Sequence, residues 1–319
     1  MKIRFTTPCI YETEGAAQEG RSFGCASFGF AGAPDPASEN VREWDAQHKK
    51  LRGKAYFGTL EEVLAQIPTT AEPESPDPGT GSCMSQAAAD GGAAQNSKMP
   101  WQAGIVLFGN CGGENEFIRK LYEKTGCPLT GGAAACDLAA GRSGLVAGAG
   151  QVAVYMICDP DASISVESKN IHNNILETHK IGFTDPRVFD TIDGEDALEW
   201  FTRKRAEYGF GADDFEHMTF SDMGGVNAHT SMNGGRLVSG RDLCPEMLLR
   251  YVKKGDVYPQ MHTFYDDKDA MIFGCAGLKG ILEQDIMTDS MGMFMFGEVA
   301  TINEVPEFGN LMLSKLVVR

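Results

Sequence analysis

The sequence predicts an α/β protein of two related modules, with mixed sheets flanked by helices and a core that reads as duplicated. Three observations carry this expectation. Short apolar runs of strand length alternate with stretches whose apolar residues recur at helical spacing. Glycine clusters punctuate the junctions. The order strand, Gly/Cys turn, helix, strand, Gly turn, strand occurs twice, with 23 residues from Phe108 to Gly131 and 24 from Phe273 to Gly297.

Taken in order, Leu60–Ile67 reads as the end of an amphipathic helix, with Leu60, Val63, Leu64 and Ile67 on one face. Residues 69–99 are rich in Pro, Gly, Ser, Ala and acidic side chains, too poor in apolar surface to offset their ordering entropy, and are expected to form a flexible excursion. Ala103–Phe108 is a buried strand that runs into the turn Gly109-Asn110-Cys111-Gly112-Gly113. Glu114–Lys124 has helical spacing through Phe117, Ile118 and Leu121, with Gly126 placed as a C-cap. Gly131-Gly132 is a further turn, and Gln151–Cys158 a strand. Glu195–Tyr208 reads as a helix with Ala197, Leu198, Phe201 and Ala206 inward, and Ser231–Gly240 contains a tight turn. Strands are expected at Asp269–Phe273, at Gly292–Phe296 (ending in Gly297-Glu298) and at Leu311–Val318, with a helix over Ile281–Thr288. The modules divide as 1–190 and 191–319.

Twenty-eight Lys and Arg oppose 44 Asp and Glu, a formal charge of −16. Such a balance argues against nucleic acid or an anionic membrane as the main partner, since both demand clustered cations. No apolar run approaches the ~20 residues that span a bilayer, and the first residues lack a signal-peptide apolar region. Nine cysteines, an odd number without C-x-x-C spacing, indicate neither a disulfide framework nor a zinc knuckle. A reducing cytoplasm is the expected setting.

The chemistry falls on the turns. Asn110, Cys111, Gly112 and Gly113 open a helix, where free N–H groups attract an anion, and Gly131 and Gly132 offer further backbone donors. The competing reading of both is a tight connection. Cys111 and Cys275 hold similar places after their strands; a helix N-terminus can depress a thiol, yet no histidine partner can be placed, so packing competes with nucleophilic catalysis. Glu298 and Asp222 are candidate ligand carboxylates, with salt bridges or caps as the plain alternative, and Asn233 is a candidate polar contact. Asp193 reads as a turn residue. The six histidines lack H-x-x-x-H spacing, which leaves no metal site expected and only a single axial haem ligand conceivable. The methionine-rich second half reads as core packing.

Three stretches resemble the FIST sensory domain family. VLFGNCGG with GCPLTGGAAACD is similar to its first strand, turn, helix and Gly-Gly turn; VFDTIDGEDALEWFTRKRAEYG to its crossover; and MIFGCAGLKGIL, GMFMFGEVATI and EFGNLMLSKLVV to its closing segment. The likeness runs from about Gly104 to Arg319. It implies a FIST N-like module followed by a FIST C-like module, and a cytoplasmic sensor that binds a small polar metabolite such as an amino acid or derivative. Some relatives bind haem and are linked to nitric oxide sensing, so a haem gas sensor is one alternative and a cysteine-dependent enzyme another. The family has no established catalytic set. Departures are Leu278 and Lys279 where an Arg is usual, and Leu311 where a hydroxyl residue is common; Lys does not replace a bidentate guanidinium. No output domain follows, so signalling is expected to pass through a separate protein.

Overall fold

The structure, a computed structural model, describes residues 51–70, 100–109, 112–133, 151–211, 217–267, 269–275, 277–278, 295 and 297–319, with strand backbone alone at a few further positions including 291–294. The expected helix at Ile281–Thr288, and nearly all of the 69–99 excursion, lie outside the described residues. Mixed sheets flanked by helices are what the chain builds, as its composition of elements predicts.

Numbering from Gly53, the first half contributes β1 (Gly53–Gly58), α1 (Leu60–Gln66), β2 (Ala103–Phe108), α2 (Glu114–Thr125), β3 (Leu129–Ala133) and β4 (Val152–Ile157). Their strands lie in the order β1-β4-β2-β3. β4 pairs antiparallel with β1 and β2, while β2 and β3 run parallel across α2. The segment expected to be the end of a longer helix is a complete short one, since α1 begins at Leu60. Thr59 caps it: its hydroxyl accepts from the Glu62 N–H, and Glu62 Oε2 accepts from the Thr59 N–H at 2.9 Å. Such a capping box satisfies two otherwise orphaned donors. Gly126 ends α2 in a left-handed conformation.

β5 (Ile164–Asn170) opens the second half, but its sheet partners come from far down the chain. Between lie β6 (Asn174–Gly182), β7 (Val188–Phe189), β8 (Thr191–Ile192), β9 (Glu195–Asp196), α3 (Ala197–Glu207), β10 (Met218–Ser221), β11 (Asn227–Ala228), β12 (Thr230–Asn233), β13 (Arg236–Ser239) and β14 (Glu246–Tyr251). They build a sheet of order β9-β8-β6-β14-β10-β11, a smaller one of order β7-β13-β12, and a core of their own around Trp200, Phe201, Phe220 and Leu249. The 190/191 division passes between β7 and β8 of this inserted unit. Asp196 caps α3, its carboxylate accepting the Leu198 and Glu199 N–H groups at 3.0 Å. That start places Ala197, Trp200, Phe201 and Arg205 on the buried face and leaves Ala206, one position round the helix, exposed.

After the insertion come α4 (Val257–Tyr265), β15 (Ala270–Cys275), β16 (Met291–Met295), β17 (Glu298–Ile302), β18 (Val305–Gly309) and β19 (Met312–Val318). A second sheet has the order β5-β19-β15-β16, with β19 antiparallel to β5 and β15, and β15 parallel to β16. Strand order and sense repeat those of the first sheet. The hairpin β17–β18 leaves its own sheet and extends the first one, β17 pairing with β3.

The two sheets face each other. Ile105, Leu107, Tyr155 and Ile157 of one meet Met271, Phe273, Leu316 and Val318 of the other. Alternation sends Val106, Phe108 and Val154 the opposite way, against Val63, Phe117, Ile118 and Leu121 of α1 and α2. Ile272 and Leu313 likewise turn outward to Val257, Met261 and Tyr265 of α4. Strands covered on both faces explain why β2 and β4 read as unbroken apolar runs.

Candidate functional site

Glu298 is the first residue of β17 rather than the end of β16, and Gly297 before it has a left-handed φ of 94°. The Glu298 side chain is fully buried, at 0% exposure. Oε1 accepts the Met312 N–H. Oε2 has no hydrogen-bond partner among the described residues. The Cys275 thiol lies against the same carboxyl, and Tyr265 of α4 stands within its field. Burial raises Glu298 well above the ordinary carboxylate range, against the Met312 N–H, the Cys275 thiol and its own N–H, which favour the charged form. Burial likewise raises the Tyr265 phenol, with the Glu298 carboxylate and Cys275 adding to it.

Cys275, 3% exposed, ends β15. Burial pushes its thiol far up, the Glu298 charge adds to this, and the N–H groups of Leu311, Gly277 and Gly297 around the sulfur do not compensate. A nucleophilic cysteine requires the opposite shift. Cys127 is also held up, to about 11, by burial.

The segment that faces this centre is strained. Leu311 is a left-handed residue, φ 56°, and is fully buried. Leucine avoids that conformation, so its surroundings hold it there. Flipping Leu311 aims successive N–H groups at Cys275 and Glu298, a backbone nest that polar atoms fill from inside the fold. On the far side, Asn310 N–H donates to the Asn227 carbonyl and Asn227 Nδ2 to the Leu311 carbonyl. The inserted unit is thereby joined to the loop that holds Glu298.

The expected donors sit elsewhere in the scheme. Gly131 and Gly132 pair with Val299 and Glu298. A Cβ on Gly132 would collide with the Gly297 carbonyl, and one on Gly131 with the backbone of Val106. Both glycines permit close strand packing, and they bring β3 directly against Glu298. Gly112 and Gly113 precede α2, but the Gly112 N–H is taken by Glu114 Oε1 at 3.0 Å, so the chain supplies its own anion at this helix start. Asn110 and Cys111 lie outside the described residues. Asp222 is bound to Arg241 at 2.9 Å and to the Val226 N–H at 2.9 Å. Asn233 is exposed beside the Gly234-Gly235 hairpin turn, away from the buried Glu298. Of the residues expected at one site, the fold thus gathers Gly131, Gly132, Cys275 and Glu298.

Asp193 is more than a turn residue. Its Oδ2 lies 2.7 Å from His179 Nδ1, and the buried imidazole meets Trp200 edge-on at 4.6 Å. Partial burial opposes the charge of Asp193, yet the bonds from His179 and the Lys180 N–H hold its carboxyl below the usual range. Among the described residues no group of three or more His, Cys, Asp or Glu is arranged to hold a metal ion, and no helix is long and apolar enough to cross a membrane.

Tyr265 escaped the sequence reading, and Leu311 entered it only as a departure from the family pattern and the start of the last strand. Tyr265 carries an ordinary amphipathic pattern in α4, and nothing in a leucine's context announces a left-handed backbone. Comparison of the chain with family models, curated proteins and solved structures returns no match.

Proposed function

We propose that this protein is a cytoplasmic small-molecule sensor whose ligand, a small polar metabolite, engages the Glu298 carboxyl between the two sheets and alters contacts with a separate signalling protein. One observation carries the reading: a fully buried carboxyl, with one oxygen that has no hydrogen-bond partner among the described residues, where β3, β15, β17 and the Leu311 loop meet. Native folds satisfy almost all buried polar atoms, and exceptions concentrate at functional sites. The raised thiol of Cys275 favours binding over covalent chemistry. The order of motifs similar to the FIST family points the same way. The hydrogen bonds from Asn227 to the Asn310–Leu311 loop give ligand occupancy a physical route into the inserted unit.

Calorimetry against a panel of amino acids and other polar metabolites tests the proposal. At least one compound is expected to bind the wild type, and Glu298→Gln, which keeps the shape of the side chain but not its acid, is expected to weaken it at least about tenfold, or 1.4 kcal/mol. Unchanged affinity of every hit for Glu298→Gln would remove Glu298 from the site.

A further inference from the structure

The inserted sheet has one apolar and one polar face. Met218, Phe220 and Leu249 enter the core with Trp200 and Phe201. Alternation along β10 and β14 puts Thr219, Ser221 and Arg250 on the opposite face, and Arg250 stands directly across from Thr219 in the β10–β14 register. This face meets Asn170, His172 and Asn227, where the inserted unit joins the two-sheet core.

Arg250 is fixed there by two bonds. Its Nε donates to Ser221 Oγ at 2.7 Å, and one Nη to the His172 carbonyl at 3.4 Å. Among the described residues it forms no ion pair. Asp222 is the carboxylate whose charge reaches it, but that carboxylate is committed to Arg241 and to the Val226 N–H. Arg241, by contrast, holds both Asp222 and Glu307. The remaining amino group of Arg250, Nη2, faces Gly225. A Cβ at that position would stand only 3.3 Å from Nη2, and φ 92° disfavours any side chain. A glycine therefore keeps the edge of the guanidinium clear. The turn around it is anchored from three sides: Asn170 donates to the Gly225 carbonyl at 2.9 Å, Asn303 to the Gly224 carbonyl at 3.5 Å, and Arg241 to the Val226 carbonyl at 3.4 Å.

A partly buried guanidinium with no ion-pair partner among the described residues gains from an anion that completes it. Burial accordingly lowers the proton affinity of Arg250, with Asp222 opposing. In a chain of charge −16 this cost is retained at a position whose geometry is fixed beforehand, as a planar fork for oxyanions requires.

We propose that Arg250, oriented by Ser221 and the His172 carbonyl, binds the oxyanion of a small carboxylate or phosphate at the seam between the inserted unit and the core. The assignment rests on Arg250 and its neighbours and not on the reading of Glu298. Inorganic phosphate and succinate serve as probes and distinguish the two anion chemistries. Calorimetry at low ionic strength is expected to show saturable binding of one of them to the wild type. Arg250→Gln should weaken it at least about tenfold; Arg250→Lys keeps the charge without the fork and should fall between the two. Ser221→Ala, which releases Nε alone, should weaken binding less than Arg250→Gln. Should Arg250→Gln fail to fold, the Lys variant decides. Wild-type affinity in Arg250→Lys and Arg250→Gln, or no saturable binding of either probe, overturns the assignment.

Discussion

At Glu298 the cost of burying a carboxyl can be measured as stability. An unfolded glutamate is ionised at neutral pH, whereas burial shifts the folded one toward its protonated form. A carboxyl whose folded value is raised contributes most below its unfolded value, near 4.3, and that contribution is lost as pH rises toward the folded value. The expected loss is about 1.4 kcal/mol per pH unit across that window. Glu298→Gln removes the titration. Chemical denaturation between pH 4 and pH 8 should therefore show a flatter stability profile in the variant, which overtakes the wild type as pH rises. Parallel profiles would mean that the carboxyl is hydrated in solution. Leu311 illustrates the same point without charge: a strained, fully buried residue is kept where its N–H faces a polar centre.

At the scale of elements, local chemistry sets most boundaries. The Thr59–Glu62 capping box fixes the start of α1, Asp196 that of α3, and Gly126 the end of α2. Thr59→Ala should lower the stability of the whole chain by about 1 kcal/mol in equilibrium urea melts, because the cap leaves donors unsatisfied when lost. An unchanged midpoint would show that α1 is held by its apolar face alone. The β17–β18 hairpin turns at Asn303 and Glu304, both left-handed. Asn is a familiar residue in such a turn and Glu is not, so the sequence carries a weak signal exactly where the hairpin that delivers Glu298 begins its return.

Across the whole molecule, two similar sheets pack into one core and exchange a hairpin. A buried polar chain stitches them: Thr130 Oγ1 lies 2.8 Å from Ser314 Oγ, Ser314 Oγ lies 3.1 Å from Ser168 Oγ, and Ser168 Oγ accepts the Thr301 N–H at 2.9 Å. Thr130 belongs to the first sheet, and Ser314 and Ser168 to the second. A double-mutant cycle with Thr130→Val and Ser314→Ala should give a coupling of about 0.5–1.5 kcal/mol in unfolding free energy. Additive losses would mean that the Thr130–Ser314 contact contributes no coupling between the sheets.

The sequence by itself determined the α/β class, the strands β2, β4, β15 and β19 and the helix α2. Those features rest on residues near one another in the chain: apolar periodicity, caps and turn glycines. It also singled out Cys275, Glu298 and the Gly131-Gly132 pair, though as strand ends and donors. Only the tertiary structure decided that β5 pairs with β19 across an insertion of about 80 residues, that β17 crosses to the first sheet, that Arg250 has no ion-pair partner among the described residues, and that Tyr265 and Leu311 surround Glu298. Strand alternation records which face of a strand is apolar, but not which distant strand lies beside it. Burial and electrostatic environment arise from those long-range neighbours, and so does the chemistry they confer.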